Sequence, residues 1–260
     1  MIDTHCHLNL LDLTPFDGSE QAMIADMLDH GVNRVVCISI DLQSLPDVLA
    51  FSDRYDCVYS TVGVHPSSST EAGPNVETLV ELAQHPKVGA IGETGLDYHY
   101  NETGLDNMRE QFRTHIHTAH AVKKPLVIHT RAAQDDTLQI MRDEQARDVG
   151  GIMHCFTESQ AMAKAAMDMG FYISFSGIVT FKNAANVQAV ADYVPLDRML
   201  IETDAPYLTP VPFRGKPNRP SYVRFVAEKL AEIKQCSVEE VVSITTQNAD
   251  NVFGFAELSS

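Results

Sequence analysis

Short apolar runs rich in β-branched residues recur along the whole chain, each closed by a polar or glycine-containing stretch and followed by a segment with helical spacing. The runs fall at residues 1–5, 32–40, 58–64, 88–91, 125–128, 151–153, 171–175 and 199–201. Between them, residues 77–84, 108–122, 135–145, 159–169 and 185–193 among others space their apolar positions to lay one stripe on a sheet. Residues 220–235 read as the helix after the eighth run, and Ser237-Val-Glu-Glu240 reads as a capping box opening a last helix. Strands alternating with helices imply an α/β fold with parallel strands, right-handed crossovers and a sheet buried on both faces. Eight repeats in about 250 residues is the usual size of a (β/α)8, or TIM-like, barrel. The competing architecture is an open doubly wound sheet, whose dinucleotide-binding version lacks its signature here, since no G-x-G-x-x-G follows the first run. No linker, low-complexity tract or repeat divides the sequence, so residues 1–260 are expected to form one domain.

Composition narrows the partners. No apolar stretch approaches the roughly 20 residues of a membrane span, and the first residues lack a basic region followed by an apolar one, so neither a membrane nor an export route is expected. Against 19 Lys and Arg stand 35 Asp and Glu, a formal charge of -16, which opposes sequence-independent wrapping of duplex DNA and adhesion to anionic lipid. An anionic substrate must therefore be held by a local site. Five cysteines (6, 37, 57, 155 and 236), odd in number and never paired as C-x-x-C, fit a reducing cytoplasm better than a disulfide framework. No heptad seam or other signal of an obligate protein partner is present.

Chemistry gathers where the runs end. Five of the eight meet a histidine or carboxylate there: His5 and His7, Glu93, His129, His154 and Asp204. In a barrel those ends share one rim, and that rim carries the active sites of such folds. In extended chain, residues two apart face the same way, so His5 and His7 can grip one ion while Cys6 points elsewhere. The same alternation is expected to turn Cys155 away from whatever His154 binds, leaving nitrogen and oxygen ligands only. Four imidazoles and two carboxylates exceed one tetrahedral zinc but divide well over two metals with a carboxylate between them. Such a pocket would keep about one positive charge and attract phosphate although the protein is acidic. His65, at the end of the third run, is read equally as a substrate contact, a support for the ligands or the start of a turn. Histidines 30, 85, 99, 115, 117 and 120 are read as surface or packing residues.

A phosphate grip is expected after the last run. Residues 205–227 hold no acidic residue, yet 4 of 23 are basic (Arg214, Lys216, Arg219, Arg224) against 19 of 260 overall, and five prolines restrict the loop. The plain alternative is a solvated Pro-rich connection. Arg131 and Lys182 are further candidate contacts. Asp204, at the end of the last run, is placed to accept a proton from attacking water and pass it to the leaving oxygen.

The motifs D-x-H-x-H-L at 3–8, G-V-H-P at 63–66, G-E-T-G-L-D-Y at 92–98, I-H-T-R at 128–131, H-C-F at 154–156, F-S-G at 175–177, E-T-D-A-P-Y-L at 202–208 and R-G-K-x-N at 214–218 resemble, in order and spacing, the TatD family of metal-dependent deoxyribonucleases, in detail its bacterial YcfH branch. The resemblance runs from Asp3 to about Phe253, with no departure at the ligand positions. It implies a barrel of the amidohydrolase-like type in which His5, His7, Glu93 and Asp204 hold one divalent ion and Glu93, His129 and His154 the other. Glu93 and Asp204 become the candidate catalytic carboxylates. It also implies hydrolysis of phosphodiesters, as a 3′-5′ exonuclease on single-stranded DNA ends. Zn, Mn, Co and Ni suit such imidazole-rich sites, Mg less naturally. Two alternatives remain: hydrolysis of carboxylic esters or amides, including the aminoacyl ester of transfer RNA, and a metal- or nucleic-acid-binding module without turnover.

Overall fold

A computed structural model describes residues 1–68, 73–99 and 103–255. Eight strands, β1 (Ile2–Cys6), β2 (Arg34–Cys37), β3 (Val58–Val62), β4 (Val88–Asp97), β5 (Leu126–Arg131), β6 (Gly151–Met153), β7 (Phe171–Phe175) and β8 (Met199–Ile201), pair in parallel and in sequence order. The ring closes through backbone bonds just past the last strand, His7 N–H to the Ala205 carbonyl (2.8 Å) and Asp204 N–H to the His5 carbonyl (2.9 Å). The expected TIM-like barrel is therefore present. Around it lie α1 (Glu20–Asp29), α2 (Leu45–Arg54), α3 (Val76–Leu82), α4 (Leu105–Val122), α5 (Gln134–Asp143), α6 (Gln160–Asp168), α7 (Ala185–Tyr193), α8 (Val223–Lys234) and α9 (Val238–Phe253). Ser19, Asn75, Ser159 and Ser237 cap four of these, each side-chain oxygen accepting an N–H of the first turn. None of the described helices is long and apolar enough to cross a membrane.

Two apolar cores follow from strands buried on both faces. Every strand sends one residue into the lumen (Ile2, Val36, Tyr59, Ala90, Val127, Ile152, Tyr172 and Leu200), where they meet Phe253 and Phe255 at the end of α9. The larger core lies between the sheet and the helices and includes Cys6. The C-terminal helix thus plugs the barrel, and the polar residues collect at the opposite end.

Two strands depart from plain alternation where it matters. β1 carries an extra residue between Asp3 and Cys6 relative to β2, and β4 carries one between Ile91 and Thr94 relative to β5. Such bulges re-aim side chains, and they contain His5 and Glu93. β4 also runs on to Asp97, beyond the expected end at residue 91. Gly92 and Gly95 make this possible: at φ of 148° and 134°, Cβ atoms there would lie 2.5 Å from the Val127 carbonyl and 2.0 Å from that of His129. Only glycine lets β4 approach β5 so closely.

Candidate metal centre

The six residues singled out at the strand ends converge. Glu93, buried, is the hub: its Oε1 lies 3.0 Å from His154 Nε2, 3.2 Å from His129 Nδ1 and 3.4 Å from His65 Nε2, and its Oε2 lies 3.3 Å from His5 Nε2. Asp204 Oδ1 stands 3.3 Å from His7 Nε2 and 3.6 Å from His5 Nε2. The His5 and His154 rings stack with centroids 3.7 Å apart. All of these except His5 border a cavity of about 720 Å³ at the C-terminal end of the barrel.

Hydrogen bonds on the far side of each ring fix its tautomer. His154 donates Nδ1–H to Glu202 (2.9 Å), His129 donates Nε2–H to Asp97 (3.2 Å), and His7 directs Nδ1 at the Ile38 carbonyl (3.4 Å). In the neutral ring the other nitrogen of each then aims a lone pair at a carboxylate oxygen about 3 Å away. Lone pair against lone pair repels unless positive charge sits between. His5 adds two buried nitrogens without a hydrogen-bond partner among the described residues. This donor set suits divalent cations, and His5, His7, Glu93, His129, His154 and Asp204 could hold them. Three overlapping groups of potential ligands occur here: His5, His7 and Glu93; His65, Glu93 and His129; and His5, His154 and Glu202.

Without cations, protons take up part of that role. Burial opposes ionisation of both partners, yet Glu93 is held well below the ordinary carboxylate range by His154, His65 and His5. Against the same opposition from burial, Glu93 and Glu202 hold His154 well above the usual imidazole value. His7 and His129 are likewise raised, by Asp204 and by Asp97 with Glu93, in each case over the opposing effect of burial.

His65 is different. Its Nδ1 accepts the Ser67 N–H (3.0 Å), so the neutral ring carries its proton on Nε2, facing Glu93. The neutral ring thus turns a donor towards Glu93, which is compatible with the reading of His65 as a support for the candidate ligands. Burial lowers its pKa to about 4, with Glu93 pulling the other way.

The basic candidates divide. Arg131 borders the cavity, whereas Lys182, Arg214 and Lys216 are not among the described residues that do. Arg214 instead lies over the Phe181 ring, 3.9 Å from its centroid, and donates to the Thr209 carbonyl (3.1 Å). Arg219 and Arg224 pair with Asp26 and Glu228. Cys155 borders the cavity, where it follows β6 at φ 43° and the chain is no longer extended, but it belongs to none of the groups of potential ligands among the described residues. Its Sγ lies 3.2 Å from Ser176 Oγ.

Sequence reasoning did not single out Asp97 or Glu202, the carboxylates that orient His129 and His154. Glu202 shares the E-T-D motif with Asp204 and was visible in that sense. It also missed Tyr207, which borders the cavity with its ring 6.0 Å from that of His7.

Comparison with known proteins finds a family of metal-dependent hydrolases. The family described as TatD related DNase matches residues 2–254. The metal-dependent hydrolase YabD of Bacillus subtilis is 43% identical over 254 residues, covering 97% of this chain and 98% of its own. The metal-dependent hydrolase YcfH of Escherichia coli K12 is 42% identical over 253 residues, covering 97% and 95%. The crystal structure of YjjV, a TatD homolog from E. coli K12, superposes with a TM-score of 0.88 at 26% identity, covering 98% of both chains.

Proposed function

The chain belongs to the TatD-related DNase family of metal-dependent hydrolases, and from that premise we propose that it cleaves phosphodiester bonds, removing nucleotides from the 3′ end of single-stranded DNA. The supporting observation is the set of imidazole lone pairs turned on Glu93 and Asp204 at the floor of an open cavity. We assign two divalent ions to it, one held by His5, His7, Glu93 and Asp204, the other by Glu93, His129 and His154. Bound there, they would acidify water and offset charge growing on the phosphoryl oxygens.

The chain's own residues supply the rest. Asp204, with 14% of its side chain exposed, faces the cavity and is placed to take a proton from the attacking water. As the water oxygen bonds to phosphorus the P–O3′ bond breaks, and that proton passes to the leaving 3′ oxygen. His65 keeps a proton on Nε2 beside Glu93, and Arg131 offers the cavity a fixed positive charge. All five cysteines are free, which suits the reducing cytoplasm we assign to the enzyme.

A second reading draws on the cavity wall. Leu10, Ile40, Ile178 and Leu208 border it, and Arg131 is the one Lys or Arg among its described lining residues, which also suits a carboxylic ester such as an aminoacyl-transfer-RNA end. Metal-loaded protein should be incubated with single-stranded DNA, an aryl phosphodiester and an aminoacyl ester, each beside an Asp204→Asn control. Mononucleotide release from DNA 3′ ends, abolished in the variant although it retains metal, is the expected result. Cleavage of the carboxylic ester alone would overturn the phosphodiesterase reading, and a variant working at the wild-type rate would remove Asp204 from the proton path.

A further inference from the structure

The floor of the cavity is polar and ionic; its lip is of another composition. Two chain segments build that lip, residues 177–181 after β7 and 207–216 after β8. They are tightly joined. Thr180 Oγ1 accepts the Val211 N–H (2.9 Å), Arg214 covers the Phe181 ring, and a Cβ on Gly177 would stand 2.0 Å from the Leu208 carbonyl oxygen. Asn218 anchors the far end by donating to the Thr203 and Tyr207 carbonyls at 2.9 and 2.6 Å. A ligand therefore meets a preformed surface.

That surface combines aromatic and apolar groups with cations. Ile178, Tyr207 and Leu208 pass from the cavity wall onto the lip, where Tyr207 is 54% exposed and Val211 41%. Lys182 follows Phe181 directly, and Lys216 stands over Phe213, itself stacked on Tyr222 with centroids 4.6 Å apart. Lys182, Arg214 and Lys216 are exposed, and among the described residues none has a carboxylate partner. In a protein of net charge -16 that is an uncompensated positive patch. Tyr207 offers an exposed ring beside cations that lack a carboxylate partner, the combination single-stranded nucleic acid requires: a base stacks on the ring and phosphates meet the cations.

We propose that this lip is an extended-substrate site for a single-stranded oligonucleotide, holding the nucleotides that lie 5′ of the one in the cavity. Tyr207 takes a base face, and Arg214 and Lys216, with Lys182 beside them, take the following phosphates. Assignment of the 5′ side rests on the exonuclease reading; occupancy by an oligonucleotide does not.

Binding of 5′-fluorescein phosphorothioate oligothymidylates of two and eight residues, followed by anisotropy over a salt series, tests the lip without turnover. Wild-type protein is expected to bind the octamer about tenfold or more tightly than the dimer. The Arg214→Gln, Lys216→Gln variant should lose most of that gain and flatten the octamer's salt slope by about 1.4, for two phosphate contacts at about 0.7 each. Arg214→Lys with Lys216→Arg should restore the slope. Tyr207→Leu should weaken octamer binding by about fivefold or more while leaving the slope in place, because stacking releases no counterions. Equal affinity for the two lengths, variants that weaken both equally, or inorganic polyphosphate competing as well as the octamer would each overturn the proposal. An Arg214-dependent length gain without cleavage of any oligonucleotide would support the lip and sink the exonuclease reading. Cleavage without a length gain would do the reverse.

Discussion

Replacing His115 with glutamine should change how stability responds to acid. His115 is fully buried on α4, donates Nδ1–H to the Gln111 carbonyl (2.7 Å) and accepts the Val64 N–H on Nε2 (3.0 Å). Gln111 completes the clamp by donating to the Val64 carbonyl (3.2 Å), so one helix holds both backbone groups of the residue before His65. Protonation at Nε2 would set a donor against the Val64 donor. Burial, relieved only by the Gln111 carbonyl, lowers the pKa from 6.5 to about 4. Between those values the unfolded chain binds more protons than the native one, so the contribution is whole above pH about 6.5 and is lost as pH falls towards 4. At about 1.4 kcal/mol per unit this amounts to about 3 kcal/mol in full, of which about 2 kcal/mol disappears between pH 7.5 and 5. Urea unfolding of both proteins at those two pH values measures it. At pH 7.5 the variant should be weaker by about 1–3 kcal/mol for the disturbed Val64 bond, and at pH 5 the gap should shrink by about 2 kcal/mol. Other buried imidazoles are common to both proteins and cancel. Parallel pH dependences would refute the assignment of a neutral His115.

Three further substitutions probe the centre and its supports. Glu93→Gln removes the carboxylate on which four imidazoles converge, and elemental analysis after dialysis against divalent ions should find the bound metal lost; full loading would contradict the hub role. Glu202→Gln takes the charge from the acceptor that orients His154, and competition with a chelating dye should show metal affinity lowered about 10- to 100-fold, whereas an unchanged affinity would mean the ring is held by packing alone. Thr203→Val strips the hydroxyl that donates to Asp3 Oδ2 (2.6 Å) across the β1–β8 closure; thermal melts should show a loss of about 1–3 kcal/mol, and an unshifted melt would show that the Thr203 N–H bond to Oδ1 suffices.

What could be read from the sequence followed from two periodicities and one topological rule. Apolar runs alternating with helical stripes gave eight strands in order, and the rule that such strands lie parallel in a barrel puts their C-terminal ends on one rim. That is why His5, His129, His154 and Asp204, far apart in the chain, could be grouped before any coordinates. The segment 92–97 resisted the same reasoning. The fourth run is expected to end at residue 91, yet Gly92 and Gly95 keep β4 in the sheet by letting its backbone crowd β5, and Asp97 thereby reaches His129.

Ring orientation lies deeper still. Whether a histidine offers a lone pair or a proton depends on which group meets its other nitrogen: Glu202, Asp97, the Ile38 carbonyl or the Ser67 N–H. Those partners come from other strands and from a turn, so no spacing within one motif encodes them. The same holds for the basic residues after β8. Their enrichment was visible, but only the packing of Arg214 on Phe181 shows that Arg214 belongs to the lip, while Arg219 and Arg224 are engaged by Asp26 and Glu228. A phosphate-binding residue must hold its charge unpaired as well as place it near the site. Arg214 and Lys216 meet the first condition on the lip, and Arg131 meets the second within the cavity. On the function proposed above, positive charge would reach the substrate from two places, Arg131 at the reacting group and the lip along the strand that leads to it.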